Sequence, residues 1–218
     1  MKYLSLLFIS IICFGMVNPA KKKVIFLGDS ITQMGVNPGG YINQLQELLQ
    51  AKPLNSVYEL KGAGVGGNKV YDLYLRLEDD VLAHRPDMVV IYVGINDVWH
   101  KTSGIGTDIE KFEKFYVAII KKLQAQKITV MLCTPSIIGE KKNNANPQDA
   151  DLNAYSDVIR RIAQIWHCGL IDLRRDFLEY EQEHNIHDVE LGVLTTDRVH
   201  LNKKGNSLVA NAILNKLE

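Results

Sequence analysis

A serine, an aspartate and a histidine in this chain are spaced so that a fold can bring them together for nucleophilic chemistry. Ser30 closes the run Val24-Ile25-Phe26-Leu27-Gly28-Asp29-Ser30. Consecutive apolar residues stopped by glycine and small polar residues read as a strand buried on both faces, then a sharp turn. A serine hydroxyl is a poor nucleophile until a base takes its proton, and that base needs a third group to fix its tautomer. Of the six histidines, His200 alone has a carboxylate at short range within a loop, in Asp197-Arg198-Val199-His200. One turn of backbone can then bring the Asp197 carboxylate to Nδ1 and leave Nε2 for Ser30. The tetrahedral intermediate also needs donors aimed at its oxyanion. Candidates are the Ser30 N–H, the side-chain amide of Asn96, and the N–H of Gly67, which lacks a Cβ and is expected at a helix N-terminus, where donors lack partners. Asp29 and Asp97 adjoin backbone turns and are expected to accept backbone N–H groups. Asp29, Trp99 and His100 are also candidates for substrate contact.

The elements that must position these residues alternate in type. After the first strand come a loop over Gln33–Gly40, an amphipathic helix over Tyr41–Ala51 with Ile42, Leu45, Leu48 and Leu49 on one face, and a second strand over Ser56–Lys61. The glycine cluster Gly62-Ala63-Gly64-Val65-Gly66-Gly67 leads into a helix from Val70 to Leu82, ended by Arg85-Pro86. Asp87–Val93 reads as a buried strand running into Gly94-Ile95-Asn96-Asp97. A helix over Asp108–Gln126, a strand over Ile128–Cys133, a long polar surface loop over Thr134–Ala150, a helix over Leu152–His167, a short strand over Leu170–Leu173 and helices over Arg174–His184 and Asn202–Leu217 complete the reading. The alternation predicts a three-layer α/β/α sandwich around a five-stranded parallel sheet, in one domain. The carboxyl ends of its strands would gather Ser30, Gly67 and Asn96.

Composition narrows the partners. The chain has 218 residues, 46% hydrophobic and 23% charged, with 25 basic against 25 acidic residues, values of an ordinary globule. Zero net charge removes the simplest electrostatic case for nucleic acid or an anionic membrane and suits a neutral small substrate. Residues 1–20 differ in kind: Lys2 precedes an apolar stretch from Tyr3 to Val17 that ends at Asn18-Pro19-Ala20. At about 15 residues it is shorter than the roughly 20 that span a bilayer. It reads as an export signal cleaved after Ala20, leaving 21–218 as the domain in a secreted or periplasmic protein without stable membrane association. Cys133 and Cys168 then remain, expected at opposite edges of the sheet as free thiols. No metal-ligand spacing occurs, and no metal or cofactor is expected.

Gly62-x-Gly64-x-x-Gly67 matches a dinucleotide-binding fingerprint, but no acidic residue stands at the end of the following strand at the required distance. Taken together, Gly28-Asp29-Ser30, Gly67 after a glycine-rich turn, Gly94-x-Asn96-Asp97 and Asp197-x-x-His200 resemble, in order and placement, the sequence blocks of the SGNH (GDSL-type) hydrolases. Gly62 stands where members often have Asn. The resemblance implies that Ser30 is nucleophile, His200 base and Asp197 its orienter, with an oxyanion hole of Ser30, Gly67 and Asn96. It also implies an esterase using an acyl-enzyme and no cofactor. Export and the lack of a long apolar lid favour a short acyl group, such as acetyl on carbohydrate. Lysophospholipid or thioester hydrolysis, and a glycan-binding module without turnover, are the alternatives.

Overall fold

The computed structural model describes residues 20–218, so the expected export segment lies outside it except for Ala20. In chain order the elements are β1 (Lys22–Gly28), α1 (Ser30–Gly35), α2 (Tyr41–Gln50), β2 (Tyr58–Gly64), α3 (Val70–Leu75), α4 (Leu77–Asp80), β3 (Met88–Tyr92), α5 (Ile95–Trp99), α6 (Ile109–Ala125), β4 (Thr129–Cys133), α7 (Asp149–Ile165), β5 (Gly169–Ile171), α8 (Leu173–His184) and α9 (Lys203–Leu217). The strands form one parallel sheet in the order β2-β1-β3-β4-β5. Val24 to Leu27 and Val89 to Tyr92 are buried because helices cover both faces of the sheet. α2 packs on α9, while α3 packs on α6 and α6 on α7. In α6 the buried Phe112, Tyr116, Ile119, Ile120 and Leu123 form one helical stripe, and Asp108 caps the helix by accepting the Lys111 N–H at 2.9 Å.

Register sets the position of the chemistry. Gly28 pairs with Gly64 on one side and Tyr92 on the other, and Tyr92 with Cys133, so the carboxyl ends of these strands lie level. From β1 the chain goes first to one neighbour, β2, and then across to the other, β3. The crevice at this reversal of strand order is where such sheets bind ligands, and Ser30 stands at its edge. Gly28 is required there, since a Cβ would fall 2.2 Å from Thr32 Oγ1 and 2.5 Å from the Tyr92 carbonyl oxygen.

The structure departs from the expected elements in four places. The loop expected from Gln33 starts later, because α1 begins at Ser30 and runs to Gly35. β2 extends through Gly62 to Gly64, since strand pairing with β1 tolerates the glycines. The helix expected over Val70–Leu82 is broken at Arg76, whose guanidinium turns back to the strand ends and donates to the carbonyls of Gly28 (2.8 Å) and Ala63 (3.0 Å). The segment after β4 is not a surface loop at its start: residues 131–140 are buried. Its polar side chains are paired inside the protein, as where Tyr92 donates to Ser136 Oγ at 2.9 Å. Cys133 is a free buried thiol at the end of β4, and Cys168 is free and half-buried before β5.

Beneath that segment lies a buried polar layer. Arg174 is 1% exposed and donates to Asp149 Oδ1 (2.7 Å), the Ser136 carbonyl (3.1 Å) and Asn153 Oδ1 (2.8 Å). Glu140 is fully buried and its carboxylate accepts the N–H groups of Val193, Leu194 and Thr195 and the Thr195 hydroxyl, at 2.5–3.0 Å. Asn185 Nδ2 donates to the Glu140 carbonyl at 2.6 Å, and the Gly139 N–H donates to the Arg198 carbonyl at 2.8 Å. The loop that precedes α9, and with it Asp197 and His200, is thereby tied to the end of β4. Removing this carboxylate strands several buried donors, so Glu140→Ala is expected to cost roughly 3 kcal/mol or more. That corresponds to a drop in Tm of about 6–12 °C at this size, and a thermal melt within about 2 °C of wild type would contradict the clamp.

Glu181 faces the same layer, 1% exposed, with neither carboxylate oxygen hydrogen-bonded. Burial pushes its carboxyl up to about 8 from an ordinary 4.5; the nearby Glu140 adds to the push and Arg174 opposes it. Between those values the folded state keeps a proton that the unfolded state has released, so stability falls as pH rises through the window. Glu181→Gln removes that ionisation. It should raise Tm by several degrees near pH 9 and change it little near pH 4, at roughly 2–4 °C per kcal/mol. Parallel Tm-against-pH curves for the two proteins would show that Glu181 does not titrate in this way.

Candidate active site

Ser30 is the first residue of α1, directly after β1. Its backbone N–H belongs to the opening turn of the helix and has no intrahelical acceptor. Asp29 caps the helix, its Oδ1 accepting the Ile31 N–H at 3.0 Å, and this fixes the direction in which the serine leaves the strand. Ser30 Oγ lies 2.9 Å from His200 Nε2. On the other side of the ring, His200 Nδ1 lies 2.7 Å from Asp197 Oδ2. An ionised carboxylate only accepts, so Nδ1 carries the proton and Nε2 presents its lone pair to the serine hydroxyl. The Asp197 carboxyl is held below its ordinary range: desolvation raises it, but hydrogen bonds from the His200 side chain and from the His200 and Val199 backbones outweigh that effect.

The loop bearing the pair is folded on itself. Asp197 Oδ1 accepts the N–H groups of Val199 (3.1 Å) and His200 (2.7 Å), and Thr196 N–H donates to the His200 carbonyl at 2.8 Å. Asn202 caps α9 through the N–H groups of Lys204 and Gly205, while its own N–H donates to the Leu194 carbonyl. Arg198 sits between Asp197 and His200 with φ 79°, left-handed for a residue that is not glycine. Its N–H donates to Thr195 Oγ1 at 3.1 Å, the same hydroxyl that donates to Glu140.

Gly67 is not at a helix N-terminus, as the sequence suggested. It lies in an exposed turn before α3, which starts at Val70, and there φ is +77° and a Cβ would meet nothing within 4 Å. The Asn68 N–H closes that turn on the Val65 carbonyl at 3.3 Å. The adjoining Gly66 reaches the serine, since a Cβ on it would lie 4.0 Å from Ser30 Cβ. Asn96, in α5, donates from Nδ2 to the Asn68 carbonyl at 3.1 Å, which leaves the second N–H of that amide for another acceptor. The neighbouring Asp97 carboxylate accepts the Val70 N–H, with both oxygens at 3.3 Å. Asn96 and Asp97 thus pin the Gly67 turn beside Ser30.

Asp29 does not form a substrate-facing surface: it is 2% exposed and committed to its cap. Burial pushes its carboxyl up to about 7, against the Ile31 hydrogen bond and with Asp97 adding to the rise. Asp97 is also buried, and burial raises it to about 6. Trp99 is half-buried at the end of α5 and meets the His200 ring edge-on, with centroids 6.4 Å apart. His100 packs against Trp99 with ring centroids 5.6 Å apart, and its Nδ1 is buried without a hydrogen-bond partner. Arg76 and Glu140, which hold the strand ends and the histidine loop, were not singled out from the sequence. Their partners are far along the chain and neither belongs to a local motif.

With hydroxyl, imidazole and carboxylate joined in series by short contacts, the site can pass a proton from serine to histidine while the oxygen attacks a carbonyl carbon. Comparisons with known proteins agree with that chemistry. The crystal structure of an acetyl xylan esterase, AlAXEase, superposes with a TM-score of 0.88 at 58% identity, over 90% of this chain and 100% of that one. An acetylxylan esterase from Geobacillus stearothermophilus is 28% identical, covering 90% of this chain and 94% of its own length. An isoamyl acetate-hydrolyzing esterase from Schizosaccharomyces pombe is 26% identical, covering 90% and 79%. The sequence profile of the GDSL-like lipase/acylhydrolase family matches residues 26–208, and the chain belongs to that family as a carboxylic ester hydrolase.

Proposed function

We propose that this protein is an exported serine esterase that removes acetyl groups from carbohydrate through a covalent acyl-enzyme. The observation that carries the mechanism is the aligned pair of short contacts, 2.9 Å from Ser30 Oγ to His200 Nε2 and 2.7 Å from His200 Nδ1 to Asp197 Oδ2. In the first half-reaction the Ser30 oxygen bonds to the ester carbon while its proton moves to Nε2. The N–H groups of Ser30 and Gly67 and the Asn96 amide receive the developing oxyanion. Collapse breaks the bond to the alcohol oxygen, and His200 returns the proton to it. Water then repeats the sequence on the acyl-serine, releasing the acid and restoring the hydroxyl.

Acetate is the acyl group because the named activities of the similar proteins share it while their alcohols differ, a polysaccharide in one case and isoamyl alcohol in another. Carbohydrate is supported as the alcohol by two acetylxylan esterases aligned over nearly their whole length. Export is supported by Lys2 and the apolar stretch from Tyr3 to Val17.

Protein lacking residues 1–20 should hydrolyse p-nitrophenyl acetate faster than p-nitrophenyl octanoate. An optimum at octanoate or longer would favour a lipid substrate instead. Ser30→Ala should lower kcat by about 10⁴-fold or more, and Asn96→Ala by roughly 10²–10³-fold with little change in KM. Wild-type turnover in Ser30→Ala would remove the nucleophile from the mechanism.

A further inference from the structure

Next to Trp99, whose ring meets that of His200, opens a cleft of about 370 Å³, lined by Trp99, Gly139, Lys141, Glu190 and Arg198 among others. The proton transfers make no use of it, and it is larger than an acetyl group needs, within the range of sites that hold a whole small ligand. Resting on the esterase reading above, we propose that this cleft is the subsite for an uncharged sugar ring of the departing alcohol.

Position is the first argument. His200 must protonate the leaving alkoxide, so the alcohol lies on the histidine side of the scissile ester. Trp99 meets the His200 ring edge-on and Arg198 is two residues from it in the same loop, so two residues of the cleft wall adjoin the group that handles the alcohol. Chemistry is the second. Trp99 supplies a flat apolar wall, the surface that the C–H face of a sugar ring covers. Glu190 Oε1 pairs with Lys141 Nζ at 2.9 Å and its Oε2 lies 3.9 Å from Arg198 Nη1. These side chains are 39–55% exposed, so their unused donors and acceptors face water and can bind hydroxyls. Asp188, outside the cleft lining, also attracts Lys141. The two cations of the wall are thus offset by Glu190 within it and by Asp188 nearby, a balance that favours hydroxyls over a charged substituent.

Backbone strain is the third argument. The loop keeps Arg198 left-handed, with both its N–H and its carbonyl hydrogen-bonded to buried segments. That conformation persists only where surrounding contacts enforce it, and such sites concentrate where binding or catalysis occurs.

The test is the ratio of kcat/KM on acetylated xylo-oligosaccharides to kcat/KM on p-nitrophenyl acetate, for wild type, Trp99→Ala and Glu190→Ala. Glu190 is exposed, so its replacement leaves the core intact. Each variant should lower the ratio by about tenfold. Acetylated oligogalacturonides, which carry carboxylates, should be poorer wild-type substrates than the xylo-oligosaccharides. An unchanged ratio in both variants overturns the subsite, and a preference for the acidic oligosaccharide overturns its neutrality, in each case leaving the esterase reading standing. A wild-type protein that turns over neither ester overturns that reading and the subsite with it.

Discussion

The hydrogen bond between Ser30 and His200 joins two points 170 residues apart, and much of the architecture can be understood as what makes that contact permanent. A contact of 2.9 Å made by two side chains on separate loops needs both backbones held to a few tenths of an ångström. On the serine side the restraint is the sheet itself: Ser30 follows β1, a central strand paired on both edges, and Asp29 caps the helix that receives it. On the histidine side no strand is available. There a buried carboxylate, Glu140, gathers the backbone of residues 193–195 and so ties the histidine loop to the end of β4. The Gly67 turn is held by the side chains of Asn96 and Asp97 from the neighbouring strand end.

These restraints explain an expensive interior. Asp29, Asp97, Glu140, Asp149 and Glu181 are all at most 2% exposed, with Arg174 the one buried arginine among the described residues. Burying carboxylates costs stability unless hydrogen bonds replace water. Asp29, Asp97 and Glu140 accept backbone N–H groups of loop and helix-start segments that would otherwise lack partners. Glu181 makes no such bond, and only the Arg174 charge opposes the effect of its burial.

How much of this was legible in the sequence follows the range over which each feature is determined. β1 and β3 are unbroken apolar runs, and their endings in Gly28-Asp29-Ser30 and Gly94-Ile95-Asn96 mark the strand ends that carry chemistry. Asp197 and His200 are three residues apart, so their pairing is local and readable. The break at Arg76 was invisible, because it serves carbonyls on strands up to 48 residues away. The burial of residues 134–140 was misread for a related reason: a run with Thr, Ser, Glu and Pro looks solvated unless its partners are known, and these lie in β3, α8 and the histidine loop. Gly67 reads in the sequence as a glycine of close approach at a helix N-terminus, whereas it lies in an open turn with φ +77°, three residues before α3 begins at Val70. Residues that set the alcohol side, Glu190 and Arg198, belong to no motif and become visible only when the histidine loop is folded against residues 139–141.

The central claim is that Ser30 is made nucleophilic by His200 across that single hydrogen bond. Reaction with a fluorophosphonate, followed by peptide mass spectrometry, tests it most directly. The account predicts one label per chain, on Ser30, with inactivation in step with labelling and a much slower reaction in His200→Ala. Label on another residue, or labelling of Ser30 at the same rate without the histidine, would contradict it.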